Sequence, residues 1–169
     1  MLALKPCSFA ERQVYASFRT YLAKMGFFLY PREFDCAGSE HPFVDLAGRM
    51  GAFYWAFEYK SESDSISRGL EQIRAYSQWF DYVVLVTEKL LDHSRSSLFW
   101  DLKNSGAGIW NYIPGSERCV EQVNPILQAP EAGNRRHVGA RFRALQNPRK
   151  RKSTNALIDG GQLHLCRFV

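Results

Sequence analysis

A chain of 169 residues that is 46% hydrophobic and 14% aromatic holds enough apolar material for one sizeable core, which excludes wholesale disorder. No run approaches the roughly 20 apolar residues that a bilayer span needs. Lys5 and Pro6 follow the mildly apolar first residues before any signal-peptide core develops, so the reading is a cytoplasmic protein with no membrane partner. The net charge of +5 is unevenly spread: residues 1–131 carry thirteen basic and sixteen acidic side chains, whereas residues 132–158 carry eight basic and no acidic ones.

Along the chain, Phe9, Val14, Phe18, Tyr21, Leu22 and Met25 recur at three- and four-residue spacing, which predicts an amphipathic helix over residues 8–27, capped by Ser8 with Glu11 at its third position. Residues 28–34, interrupted by Pro31, read as an irregular or edge strand. Residues 42–47 and 52–60 read as strands joined by a turn at Gly48, Arg49, Met50 and Gly51. A polar loop over 61–67 leads to helical spacing over 68–80, with Asp81 as its breaker. The β-branched run 82–87 suits a strand buried on both faces. Residues 93–103 read as a helix and 109–113 as a strand. The fold class predicted is α/β, with helices covering a central mixed sheet.

Beyond Pro114 the pattern weakens, although Val138, Phe142 and Leu145 mark one face of a short basic helix ended by Asn147 and Pro148, and the last residues read as a turn and a strand. The division expected is a core domain over residues 1–130 and a basic extension over 131–169 that packs on or trails from it. Cys7, Cys36, Cys119 and Cys166 show no close pairing, and His41, His93, His137 and His164 lack metal-ligand spacing, so reduced thiols and ordinary histidines are expected. The basic stretch holds Arg135, Arg136, Arg141, Arg143, Arg149, Lys150, Arg151 and Lys152. Such a block attracts polyanions, and phosphate backbones are the commonest large ones. Its rivals are a solvated tail or a patch for acidic protein or lipid.

In the strand over 52–60, Tyr54, Ala56, Glu58 and Lys60 point one way and Phe53, Trp55, Phe57 and Tyr59 the other. An acid and a base thus share one face at the end of a very apolar strand, where charge is costly unless paired or bound to a ligand. Asp45 lies between Val44 and Leu46 on the preceding strand, and the hairpin brings it beside Glu58. Two carboxylates with the Tyr59 carbonyl supply hard oxygens suited to Mg²⁺, with Mn²⁺ as a substitute. Lys60 is placed to orient a water and to stabilise negative charge at phosphorus. Trp55 and Phe57 read as core, and Glu62, Asp64 and Ser67 as a solvated loop.

Asp45, twelve residues, then Glu58-Tyr59-Lys60 resembles the PD-(D/E)XK nuclease superfamily. That resemblance implies a restriction-endonuclease-like α-β-β-β-α-β core over roughly residues 8–113 and a Mg²⁺-dependent nuclease, acting on DNA in repair, recombination or defence. It further implies an additional metal-side acid at Glu11, as in Holliday-junction resolvases, and a Gln-x-x-x-Tyr motif at Gln72 and Tyr76, as in RecB-like nucleases. A homodimer is an open expectation of the same kind. Val44 stands where the family's proline precedes the acid. Apart from the resemblance, Tyr76 reads as core and Gln72 as a surface amide. Two rivals stand: a non-catalytic nucleic-acid-binding protein that keeps the fold, and an α/β protein in which Glu58 and Lys60 form an ion pair without a cleft.

Overall fold

The computed structural model describes residues 9–39, 41, 43–62, 64–92, 97–113, 115–116 and 118–147, without the side chains of residues 9–13. Ser8, the expected helix cap, and residues 148–169, with the expected last strand, lie outside the described residues. Helix α1 spans Phe9–Lys24 and ends where Gly26 takes a φ of 94°. It is followed by β1 (Phe28–Leu29), β2 (Phe34–Asp35), β3 (Phe43–Val44), β4 (Leu46–Met50) and β5 (Phe53–Lys60). Helix α2 (Ile66–Tyr76), β6 (Tyr82–Thr87), α3 (Ser97–Asn104), β7 (Gly108–Ile113), β8 (Arg118–Val123) and α4 (Ala132–Gln146) complete the order. Among the described residues no helix is long and apolar enough to cross a membrane.

Six strands form one mixed sheet in the order β1-β4-β5-β6-β7-β8, and β2 and β3 make a separate ribbon. The β1-β4-β5 meander is antiparallel, β6 and β7 run parallel to β5, and β8 turns back antiparallel. Parallel neighbours need crossovers, which α2 and α3 supply. Helix α1, three antiparallel strands, α2 and a parallel strand give the α-β-β-β-α-β order that the sequence predicts, with a mixed sheet flanked by helices.

The alternation read from β5 sorts its side chains as expected. Phe57, with Trp55 and Tyr59 partly buried beside it, packs with Phe18 and Leu22 of α1 on one face. Ala56 and Tyr54 face Leu70, Ile73 and Tyr76 of α2, Phe99 and Leu102 of α3, and Val138 and Phe142 of α4. The ribbon joins this second face through Phe34 and Val44, both fully buried. Helix α4 is therefore packed into the core rather than trailing from it.

Four local expectations change. The hairpin turn is only Gly51 and Ala52, with Gly51 at a φ of 59° in the first central position, where a two-residue turn demands it. Gly48 belongs to β4 instead, paired with Trp55 and Leu29, and its glycine serves close packing, since a Cβ there would sit 3.1 Å from Phe27 and 3.2 Å from Leu29. The strand expected over 42–47 breaks at Asp45: Val44 and Ala47 face the α2 side while Leu46 faces α1, an irregularity that isolates Asp45 between β3 and β4. Finally, β8 was not anticipated, since its residues are mostly exposed or half-buried and carry no clean alternation.

Candidate active site

Glu58 and Lys60 close β5 on the α2 side, and the turn of chain into α2 brings Gln72 and Tyr76 over them. The Lys60 Nζ donates to Glu58 Oε1 at 2.5 Å and to Gln72 Oε1 at 2.8 Å. The Tyr76 hydroxyl reaches the Phe43 carbonyl at 2.6 Å and Glu58 Oε2 at 3.1 Å, and Gln72 Nε2 donates to the Tyr76 oxygen at 3.3 Å. A glycine at position 69 lets α2 approach, since a Cβ there would lie 2.9 Å from Leu85 and 3.4 Å from Lys60 Cε. Gln72, expected from the resemblance as a motif position with a surface amide as the alternative, is buried within this network, because the residue four before Tyr76 shares its helix face.

Asp45 enters from the break between β3 and β4. Its Oδ2 accepts the Tyr59 N–H at 2.9 Å, and its backbone carbonyl accepts the Tyr15 hydroxyl of α1. That amide bond places the backbone edge of Tyr59 on the Asp45 side, while the Tyr59 ring turns to the opposite face and donates from its hydroxyl to Glu88 at 2.9 Å. Asp45, Glu58, Lys60, Gln72 and Tyr76 thus converge.

Charge in this cluster is unbalanced. Burial, followed by the nearby Glu58 carboxylate, pushes the Asp45 carboxyl up to about 7, against the opposing Tyr59 hydrogen bond and Lys60. Burial likewise raises Glu58 above the usual carboxylate range, although Lys60 and the Tyr76 and Gln72 side chains pull it back. Tyr76 is raised too, by burial and then by the two carboxylates. One lysine stands against two acids. Such an excess of negative charge on hard oxygens is what a divalent cation relieves, so the donor set fits a Mg²⁺-type ion. Asp45 is the less engaged of the two carboxylates: among the described residues it accepts the Tyr59 amide alone, whereas both Glu58 oxygens are already engaged.

The cluster is recessed rather than set in an open cleft, with Glu58 1% and Lys60 7% exposed. Two surface hollows lie elsewhere. One of about 620 Å³ is bounded by α3, β8 and Ile126, and one of about 320 Å³ by α1 and β1. Among the described residues no set of three or more His, Cys, Asp and Glu side chains gathers in metal-binding geometry. The Glu11 side chain lies outside those described.

A solved structure is similar to this chain at the level of fold. A protein of unknown function from Silicibacter pomeroyi is 21% identical, with 88% of this chain and 96% of that one covered and a TM-score of 0.50. The Pyrococcus furiosus SfsA structure, a complex with Ca²⁺, is 10% identical over 71% of this chain and 64% of its own, with a TM-score of 0.38. No family profile matches the chain, and no curated protein does.

Of the eight basic residues singled out, Arg149, Lys150, Arg151 and Lys152 lie outside the described residues. Arg136 and Arg143 are exposed on α4. Arg135 is drawn into the fold instead, with its Nε 2.6 Å from Asp81 Oδ1 and its guanidinium 5.5 Å from the Tyr54 ring centre. Arg141 donates to the Tyr30 hydroxyl at 2.9 Å and lies over the Tyr30 and Phe34 rings. Sequence reasoning missed Tyr15, which anchors the Asp45 backbone, and Glu33, whose charge contributes to raising Asp45. Neither leaves a local signal, because each reaches Asp45 only through tertiary packing.

Proposed function

We propose that this protein is a metal-dependent nuclease of the PD-(D/E)XK type, which hydrolyses phosphodiester bonds of nucleic acid, DNA foremost. The observation that carries the reading is the convergence of Asp45, Glu58 and Lys60 from two strands with Gln72 and Tyr76 from the following helix. Asp45 and Glu58, with the Tyr59 carbonyl, would hold Mg²⁺ or Mn²⁺, which when bound would supply Lewis acidity toward a phosphoryl oxygen. Gln72 and Glu58 fix the ammonium of Lys60, so that its charge is aimed where negative charge develops on phosphorus. Tyr76 holds Glu58 from the other side. Exposed Arg136 and Arg143, together with Arg149, Lys150, Arg151 and Lys152, supply affinity for the phosphate backbone rather than chemistry.

A second reading, a non-catalytic α/β protein in which Glu58 and Lys60 form an ion pair without a cleft, draws support from the closed pair at 2.5 Å and its near-complete burial. The test that separates the two uses purified protein with single-stranded, duplex and branched DNA, and with RNA, in Mg²⁺, Mn²⁺ or chelator. On the nuclease reading, cleavage requires the metal, and Lys60→Ala lowers it by about 100-fold or more. Calorimetric Mn²⁺ titration of that variant should show binding retained, since Glu58 Oε1 is released, whereas Asp45→Ala should lose it. Absence of cleavage with every substrate and metal would leave the second reading.

A further inference from the structure

We propose that the Phe43 ring is a stacking platform for an unpaired base, so that the site takes single-stranded in preference to duplex nucleic acid; this rests on the nuclease reading above for what lies beneath the ring. Strand β3 is two residues long and sharply two-faced: Val44 is fully buried, whereas Phe43 is 56% exposed. Single exposed apolar residues are common on protein surfaces, so position and rigidity carry the argument. The Phe43 carbonyl accepts the Tyr76 hydroxyl, which also touches Glu58, and Phe43 is paired in register with Asp35 of β2. Its backbone is thus tied both to the carboxylate cluster and to a ribbon whose Phe34 is buried in the core. Asp45 follows two residues later. Among the described residues the Phe43 ring stacks on no other aromatic ring.

Depth selects the ligand. Glu58 and Lys60 lie almost wholly below the surface, whereas Phe43 is exposed with its carbonyl one tyrosine hydroxyl away from Glu58, so a strand that approaches the carboxylates from this side brings its bases past the ring. In a duplex the faces of the bases are covered by their neighbours. An unpaired base presents its face, and stacking on an aromatic side chain accepts any base.

The test measures anisotropy of a fluorescein-labelled mixed-sequence oligodeoxynucleotide, alone or annealed to its complement, in chelator so that binding is read apart from cleavage. Phe43→Ala and Phe43→Leu should each weaken single-strand binding by about tenfold and leave duplex binding unchanged. Phe43→Trp should retain affinity, with its indole fluorescence quenched by the bound strand. Because the ring is exposed, thermal unfolding of the variants should match wild type. Single-strand affinity unchanged in both Phe43→Ala and Phe43→Leu, or lost equally for both DNA forms, would overturn the platform. Metal-dependent cleavage with a dispensable Phe43 would remove the platform and keep the nuclease; Phe43-dependent binding without cleavage would do the reverse.

Discussion

At the scale of single residues, Asp45 sets the most direct expectation. Its folded carboxyl titrates near 7, whereas an unfolded aspartate titrates near 4. The folded state therefore holds the proton more tightly, and the contribution of this group to stability falls as pH rises from about 4 to about 7, then stays low. Asp45→Asn should flatten that fall and be more stable than wild type at pH 8, as read by urea unfolding across a pH series. A steeper fall in the variant would contradict the assignment. These residues were visible in the sequence because charged side chains inside apolar strands demand a reason. Tyr15 and Glu33 were not, since a helix tyrosine and a loop glutamate are ordinary until packing brings them to Asp45.

Among elements, α4 is held by an ion pair as well as by its apolar face. Asp81 is nearly buried, donates nothing, and accepts the Tyr54 N–H at 2.8 Å as well as the Arg135 guanidinium. Asp81→Ala strands both partners and should cost about 2–3 kcal/mol in chemical unfolding. Arg135→Ala should cost less, because its side chain is 42% exposed and water screens the pair. Equal costs would mean that the Tyr54 cap contributes nothing. Strands β5 and β6 were legible because burial on defined faces imposes alternation or a continuous apolar run. Edge strand β8 was not: one side of it needs no apolar residue, so its sequence, Arg-Cys-Val-Glu-Gln-Val, carries little pattern. The split at Asp45 was hidden for another reason, since a strand that bends to present one side chain keeps the composition of a straight one.

Across the whole molecule, the basic charge divides by task. Arg135 and Arg141 are engaged with Asp81 and with Tyr30, while Arg136 and Arg143 are exposed. Neutralising Arg136 and Arg143 together with Arg149, Lys150, Arg151 and Lys152 should therefore weaken DNA binding and flatten the slope of log affinity against log salt, with the melting temperature held. Fluorescence anisotropy across a salt series, in Ca²⁺ to suppress cleavage, reads the slope. An unchanged slope would assign this charge to a protein partner or to solubility. The fold itself was legible at this scale through element order alone, because helix–strand alternation after a meander allows few sheets.

The hydrogen bond from the Tyr59 amide to Asp45 Oδ2 also makes the site observable from inside the backbone. Just before β4 begins, a side chain takes the place of the strand ladder, so the proton on that nitrogen faces a group whose charge changes with pH and with any cation that binds. The Tyr59 ¹⁵N–¹H resonance is thereby a native spectroscopic reporter of the Asp45 carboxylate, with no label beyond isotopic nitrogen.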